Sequence, residues 1–255
     1  MLAGSFPPDV NKIIFGGRLI AEEKDGGERP IAIGYLIRRL AAKCANRHVI
    51  QRRSEILKPV QLGVDVPGGA EATVHATRCL LSQMPSDHAI VKLDFINAFN
   101  SVWREVVLDA AAQNTSELYR FVHAACSCEP ILAFGEHQIL SKEDIRQGKP
   151  LSALEFCEAV QPLLSRCESD VDIGFMNDFT LSGQLDTVAT DVEMIKKSVR
   201  DIGLVLNPTK CEIICFDDKS ANMKIFNDYI RLRPEDMTLL GALILKGPAI
   251  DKTLQ

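Results

Sequence analysis

Residues 35–57 carry Leu36, Ile37, Leu40, Ala41 and Cys44 at helical spacing with basic residues between them, which predicts a helix. Ahead of it, residues 13–21 and 30–33 read as two strands joined by the turn Lys24-Asp25-Gly26-Gly27-Glu28. Pro59 and Pro67-Gly68-Gly69 punctuate the chain, and a second helix is expected over 70–84, ended by Pro85. Residues 89–95, Ala-Ile-Val-Lys-Leu-Asp-Phe, form a short apolar strand with a charge near its end. Helices are expected at 102–113 and 117–126, the latter with Thr115 and Ser116 as capping candidates, and a hairpin at 131–140 around Gly135. Another helix starts at Ser152 and runs to about residue 166. Two apolar runs, 171–174 and 179–183, flank Phe175-Met176-Asn177-Asp178 as strands flank a hairpin tip. An amphipathic helix over 185–203, closed by Gly203, and strands at 211–216 and 239–245 complete the pattern.

From Ala89 onward the order is strand, helices, hairpin, helix, strand. Setting aside the small hairpin at 131–140 and the helix after it leaves β-α-β-β-α-β, the split ferredoxin-like arrangement of an α+β protein: an antiparallel sheet with helices on one face. In that topology the end of the first strand lies beside the tip of the central hairpin. Asp94 is then expected to face Asn177 and Asp178, although about eighty residues separate them.

Composition changes this picture little. The chain has 255 residues, 46% hydrophobic and 25% charged, enough apolar material for one large domain or two small ones. No apolar run approaches the roughly 18 residues of a membrane span, and residues 1–10 lack the basic and apolar regions of a signal peptide; an intracellular protein, nuclear or cytoplasmic, with no membrane partner is expected. The eight cysteines form no Cys-x-x-Cys pair with a partner pair downstream, so they read as small buried residues in a reducing compartment. Net charge is −5, yet residues 1–60 hold eleven Lys/Arg against six Asp/Glu. Arg29, Arg38, Arg39, Lys43, Arg47, Arg52 and Arg53 could therefore meet phosphates; a solvated helix face is the competing reading. Phosphate-loop, zinc-protease and serine-hydrolase motifs are absent from the sequence, and the five histidines are dispersed.

Phosphoryl transfer by two divalent cations needs carboxylates converging on one point, and Mg²⁺ demands hard oxygen ligands. A strand-end Asp facing a hairpin tip that carries two adjacent acids meets that need. Here the first tip position is the amide Asn177.

Read together, several segments resemble a reverse-transcriptase domain of the type found in retrotransposons lacking long terminal repeats. Residues 91–102, Val-Lys-Leu-Asp-Phe-Ile-Asn-Ala-Phe-Asn-Ser-Val, resemble that family's first catalytic motif. Arg146-Gln147-Gly148-Lys149-Pro150-Leu151-Ser152 resembles its Gln-Gly-Asp-Pro-Leu motif, and Phe175-Met176-Asn177-Asp178 its aromatic-x-Asp-Asp tip. Residues 203–211, Leu239-Leu240-Gly241-Ala242 and Arg29-Pro30-Ile31-Ala32-Ile33-Gly34 resemble three further segments, in the same order. The resemblance covers about residues 13–245. It implies a polymerase palm at 89–245 with an inserted hairpin and nucleotide-site helix, partial fingers at 1–88, a tail at 246–255 and no thumb.

By resemblance, Asp94, Asp178 and the backbone carbonyl of Phe95 would hold two Mg²⁺ ions. Phe99 would lie under the incoming sugar. Gln147 and Gly148 would border the nucleotide, Lys24 and Arg29 would neutralise its triphosphate, and Lys210 would donate a proton to the leaving pyrophosphate. The partners implied are an RNA template, a DNA primer, deoxynucleoside triphosphates and a second protein supplying a thumb. Two positions depart from the pattern: Lys149 stands where an acid is usual, and Asn177 removes one charge from the cation site. The first is a surface change in its simplest reading. The second predicts weak Mg²⁺ binding and an RNA-directed DNA polymerase with reduced or lost activity. The alternatives are a non-catalytic nucleic-acid-binding domain using residues 29–53 and a degenerate gene fragment. Trp103 is expected to pack against the palm.

Overall fold

The computed structural model describes residues 2–4, 6–24, 27–141 and 149–244. In chain order the elements are α1 (Pro8–Ile14), β1 (Gly17–Lys24), β2 (Gly27–Gly34), α2 (Leu36–Leu57), α3 (Gly69–Gln83), β3 (His88–Leu93), α4 (Ala98–Ser101), α5 (Arg104–Asn114), α6 (Tyr119–Cys126), β4 (Ile131–Phe134), β5 (His137–Leu140), α7 (Ser152–Leu164), β6 (Val171–Phe175), β7 (Asp178–Gln184), α8 (Leu185–Ser198), β8 (Glu212–Cys215), β9 (Ile230–Arg231), β10 (Thr238–Leu239) and β11 (Ala242–Leu243). They form two compact units, each built from two stretches: 1–56 with 97–160, and 57–96 with 161–255. The chain leaves the first unit, returns to it, and leaves again.

The first unit holds a sheet in the order β2-β1-β4-β5. Residues 13 and 14 belong to α1 rather than to a strand. Pro8 and Asp9 explain this: proline is preset for the first helical turn, and an acid there meets the positive end of the helix dipole. The strand begins only at Gly17, where a side chain would collide with the backbone of Ile33.

Helix α2 leaves the large apolar residues of its N-terminal half exposed. Leu36 is 79% exposed, Ile37 71% and Leu40 61%, while Ala42, Ala45, Val49 and Leu57 face inward together with Arg38 and Arg53. Small side chains let the helix lie close to its neighbours, and both arginines are internally satisfied. Arg38 donates to the Phe15 carbonyl at 3.1 Å. Its guanidinium fills the space above Gly34, where a Cβ would sit 1.6 Å from Nη2. Arg53 donates to Glu158 at 2.5 Å. Periodicity counted the large apolar residues correctly but could not see that arginine had a buried acceptor.

Two smaller expectations also change. The Thr115 hydroxyl donates back to the Ala111 carbonyl and caps no following helix, which opens with a 3₁₀ turn at Ser116–Leu118. Trp103 is 46% exposed at the N-cap position of α5, so it is not a packed core ring.

The second unit holds the sheet β6-β7-β3-β8-β9. Its first four strands are antiparallel neighbours in the spatial order of the split β-α-β-β-α-β pattern, with β3 central. Ala89, Ile90, Val91 and Leu93 are all at most 1% exposed, so β3 is covered on both faces. Ile90 packs with Val74 and Leu81 of α3 and with Ile214, Met237, Leu239 and Ile244; α8 packs on β7 and β3. The segment 239–244 is not one strand but the hairpin β10–β11, because Leu240 (φ 50°) and Gly241 (φ 79°) both take the left-handed turn conformation.

The buried Asp191 of α8 anchors the approach to β6. Its carboxylate accepts from the backbone N–H of Glu168 and Ser169 and from the Ser169 hydroxyl at 2.5–3.1 Å. Asp191→Ala strands these donors and is expected to lower unfolding free energy by about 2 kcal/mol, measured by urea titration; an unchanged midpoint would show that the anchor is dispensable.

Candidate active site

The β6–β7 ladder ends on the pair Phe175↔Asp178, which leaves Met176 and Asn177 as a two-residue turn. Met176 has φ 57°, and Asn177 is not among the positive-φ residues. The left-handed position is thus the first of the turn, a place usually given to glycine. The tip is held by Gln61, whose side-chain amide bonds to both backbone polar groups of Met176.

Strand β3 pairs with β7 up to Leu93↔Phe179. The next residue outward on each strand is Asp94 and Asp178, so these two half-buried residues stand opposite each other at the end of the ladder. Behind them, Phe95 meets Phe179 edge-on, with ring centroids 5.1 Å apart and planes at 74°.

The segment after α8 fixes Asp94. Gly203 (φ 87°) ends the last helical turn, and the chain then pairs back through Phe95↔Leu206. The Asn207 N–H donates to the Asp94 carbonyl at 2.9 Å, and its Nδ2 donates to Asp94 Oδ2 at 3.3 Å. Thr209 donates to Asn207 Oδ1 at 2.9 Å, which orients the amide. Cys211 lies against the Asp94 backbone, its Sγ accepting from the Asp94 N–H at 3.4 Å. Burial pushes the Cys211 thiol up, away from the thiolate form, and burial likewise raises the Tyr229 hydroxyl beside it. This cysteine is therefore a packing and backbone-bonding group rather than a nucleophile. Asn207 and Cys211 stand within a recognisable sequence segment, but their bonds to Asp94 were not legible there. Gln61 gave no sequence signal at all.

The other expected site residues lie on several elements. Lys210 is exposed at the end of a 3₁₀ turn, one residue before Cys211. Phe99 belongs to the first unit, 9% exposed, and packs on Phe156 with centroids 4.7 Å apart. Lys24 and Arg29 lie on the paired strands β1 and β2, but their side chains fall outside the described residues, as do Gln147 and Gly148 entirely. Lys149 is accounted for locally. Its ammonium bonds both oxygens of Glu155 at 3.1 and 3.3 Å, with both side chains almost buried. It is thus an internal ion-pair partner, not the surface residue its position suggested. Lys149→Asp, which restores the usual acid, would set two carboxylates together there; the expected loss is about 2 kcal/mol of stability, visible as a lowered denaturant midpoint.

The basic surface of residues 29–53 is smaller than its composition suggests. Arg38 and Arg53 are internal, and Arg52 pairs with Glu117. Arg39, Lys43 and Arg47 remain exposed on α2.

Among the described residues no group of three or more His, Cys, Asp or Glu side chains could hold a metal ion. The donors at the sheet end are two carboxylates beside a neutral amide. Oxygen donors of this kind suit a hard divalent cation, but one anionic charge short of a tip with two acids.

The fold has known counterparts. The structure of apo telomerase from Candida tropicalis truncated from its C-terminal domain is similar at TM-score 0.60 and 14% identity, covering 81% of this chain and 50% of that one. The apo Candida tropicalis telomerase gives TM-score 0.63 at 14% identity, covering 81% and 44%. Telomerase from Candida albicans in complex with a fragment of telomeric RNA gives 0.60 at 12%, covering 82% and 43%. The chain therefore spans half or less of these proteins, and the likeness is one of fold, a polymerase palm with fingers. No curated protein matches in sequence. The reverse transcriptase (RNA-dependent DNA polymerase) family matches residues 21–244, nearly the whole chain, and the chain belongs to that family.

Proposed function

We propose that this chain is a reverse-transcriptase-like domain from a retroelement lacking long terminal repeats, and that Asn177 weakens its RNA-directed DNA polymerase activity. The observation that carries the reading is the adjacency of Asp94 and Asp178 at the ends of β3 and β7, with Asn177 at the turn beside them. Residues 1–88 act as fingers and 89–245 as palm. Asp94, Asp178 and the Phe95 carbonyl are the groups that would hold divalent Mg²⁺, which supplies neutralisation of charge on a transferring phosphate. Asn207 keeps the Asp94 carboxylate aimed outward, and the buried ring of Phe95 keeps the strand end from yielding. The substrates are an RNA template, a DNA primer and deoxynucleoside triphosphates, with Phe99, Gln147, Gly148, Lys24, Arg29 and Lys210 in the nucleotide-facing roles that the family gives their positions.

The test is primer extension on an RNA template with and without Mg²⁺. The chain as it stands should extend close to background, and the Asn177→Asp form well above it. A purely nucleic-acid-binding role through residues 29–53 draws less support, since two of its arginines are committed to internal acceptors.

A further inference from the structure

We infer that Gln61 is a positioning residue: its buried carboxamide holds Met176 in the left-handed conformation and so fixes where Asn177 and Asp178 lie relative to Asp94. The inference rests on the functional reading above, because it concerns the same site.

Gln61 has no exposed surface. It lies on a short parallel bridge with Gly174, closed by Leu62 N–H to the Gly174 carbonyl at 2.8 Å and Gly174 N–H to the Val60 carbonyl at 2.7 Å. From there its side chain crosses to the turn. Nε2 donates to the Met176 carbonyl at 2.9 Å, and Oε1 accepts from the Met176 N–H at 3.0 Å. One carboxamide thus satisfies both polar groups of a single residue. Glutamate could only accept, methionine could do neither, and asparagine is one methylene shorter.

Two glycines make room for this brace. A Cβ on Gly174 would sit 2.6 Å from the Gln61 amide nitrogen, and one on Gly63 would sit 2.7 Å from the Met176 nitrogen. The braced residue needs it. At φ 57°, Met176 occupies a region that L-residues with a Cβ disfavour, in population by about tenfold or more. The turn would otherwise relax, and the position of Asp178, two residues on, would relax with it.

The experiment is a double-mutant cycle between residues 61 and 176, read by amide hydrogen exchange in NMR and by Mn²⁺ affinity in the Asn177→Asp protein. Gln61→Met keeps the side-chain volume and removes both hydrogen bonds. It is expected to speed exchange of the residue 176 amide by about tenfold, leaving the β1–β2 amides unchanged, and to weaken Mn²⁺ binding by a similar factor. In a Met176→Gly background the same change should do much less, because glycine takes positive φ freely. Should Gln61→Met fail to fold, Gln61→Glu, which loses only the donor, carries the same comparison. Equal acceleration in both backgrounds would overturn the inference, since a merely satisfied core amide is indifferent to residue 176. So would unchanged Mn²⁺ affinity in a folded Gln61→Met protein. Failure of the Asn177→Asp protein to bind Mn²⁺ would instead count against the metal-site reading, with the exchange cycle still deciding the hold of Gln61 on the turn.

Discussion

Asn177→Asp is expected to raise Mg²⁺-dependent primer extension by about 10²–10³-fold, the size of effect that follows when one preorganised electrostatic partner is restored at a reacting centre. The exchange is nearly isosteric, and it falls at the second position of a turn whose strained residue is Met176. The fold should therefore tolerate it. Its chemical consequence is large because it adds an anionic charge beside two aspartates that already stand opposite each other. Without a cation those charges repel. The Asn177→Asp protein should consequently gain more thermal stability from Mg²⁺ than the unaltered chain does, a linkage readable in Tm without any activity assay. Adding Asp94→Asn to the same protein should return extension to background. A folded Asn177→Asp protein that neither extends primers nor responds to Mg²⁺ would refute the assignment of Asn177 as the impaired ligand position.

The second large effect concerns the pair Arg53–Glu158 inside the first unit. Both side chains are almost buried, and they meet at 2.5 Å. Burial outweighs the guanidinium and pushes the Glu158 carboxyl up to about 7. The two partners are therefore unequal. Glu158→Leu removes the acceptor from a guanidinium that cannot lose its charge and is expected to cost about 3–5 kcal/mol. Arg53→Met strands a carboxyl that can take up a proton, so its cost should be smaller at pH 6 than at pH 8.

The pH dependence of the unaltered protein follows from the same shift. The folded-state value lies above the ordinary value of 4.5, so between the two the folded protein binds more protons than the unfolded one. Stability is then greatest below about 4.5 for this group and falls as pH rises through about 7, by about 3 kcal/mol in all. Urea titrations at several pH values, on this chain and on Glu158→Gln, measure that slope. A slope that survives in Glu158→Gln would assign it to other groups.

Much of the fold was legible because it rests on local pattern. The apolar run 89–93, the paired runs around residue 176 and the helix closed by Gly203 all fell where expected, since strand alternation, turn chemistry and a left-handed C-cap are read from neighbours in the chain. The failures have a common cause. Arg38 and Arg53 look like phosphate-meeting or solvated residues, yet the buried face of α2 includes both, because Phe15 and Glu158 supply acceptors from distant positions. Lys149 reads as a surface change in sequence, whereas Glu155 holds it as an internal ion-pair partner. Within the described part of the expected 239–245 strand the chain forms a hairpin, because Leu240 takes positive φ, which propensity does not anticipate for leucine.

For the site, sequence alone determined the chemical identities: two aspartates, an amide at the tip, and the order of motifs that places the chain among reverse transcriptases. Those depend only on residue type and spacing. Tertiary structure decided the adjacency of Asp94 to Asp178, through a strand register between segments remote in the chain. It also decided that Asn207 and Cys211 grip Asp94, and that Gln61 braces Met176. Such contacts are side-chain hydrogen bonds across more than a hundred residues, and their geometry exists only once packing has brought the donors and acceptors to within about 3 Å.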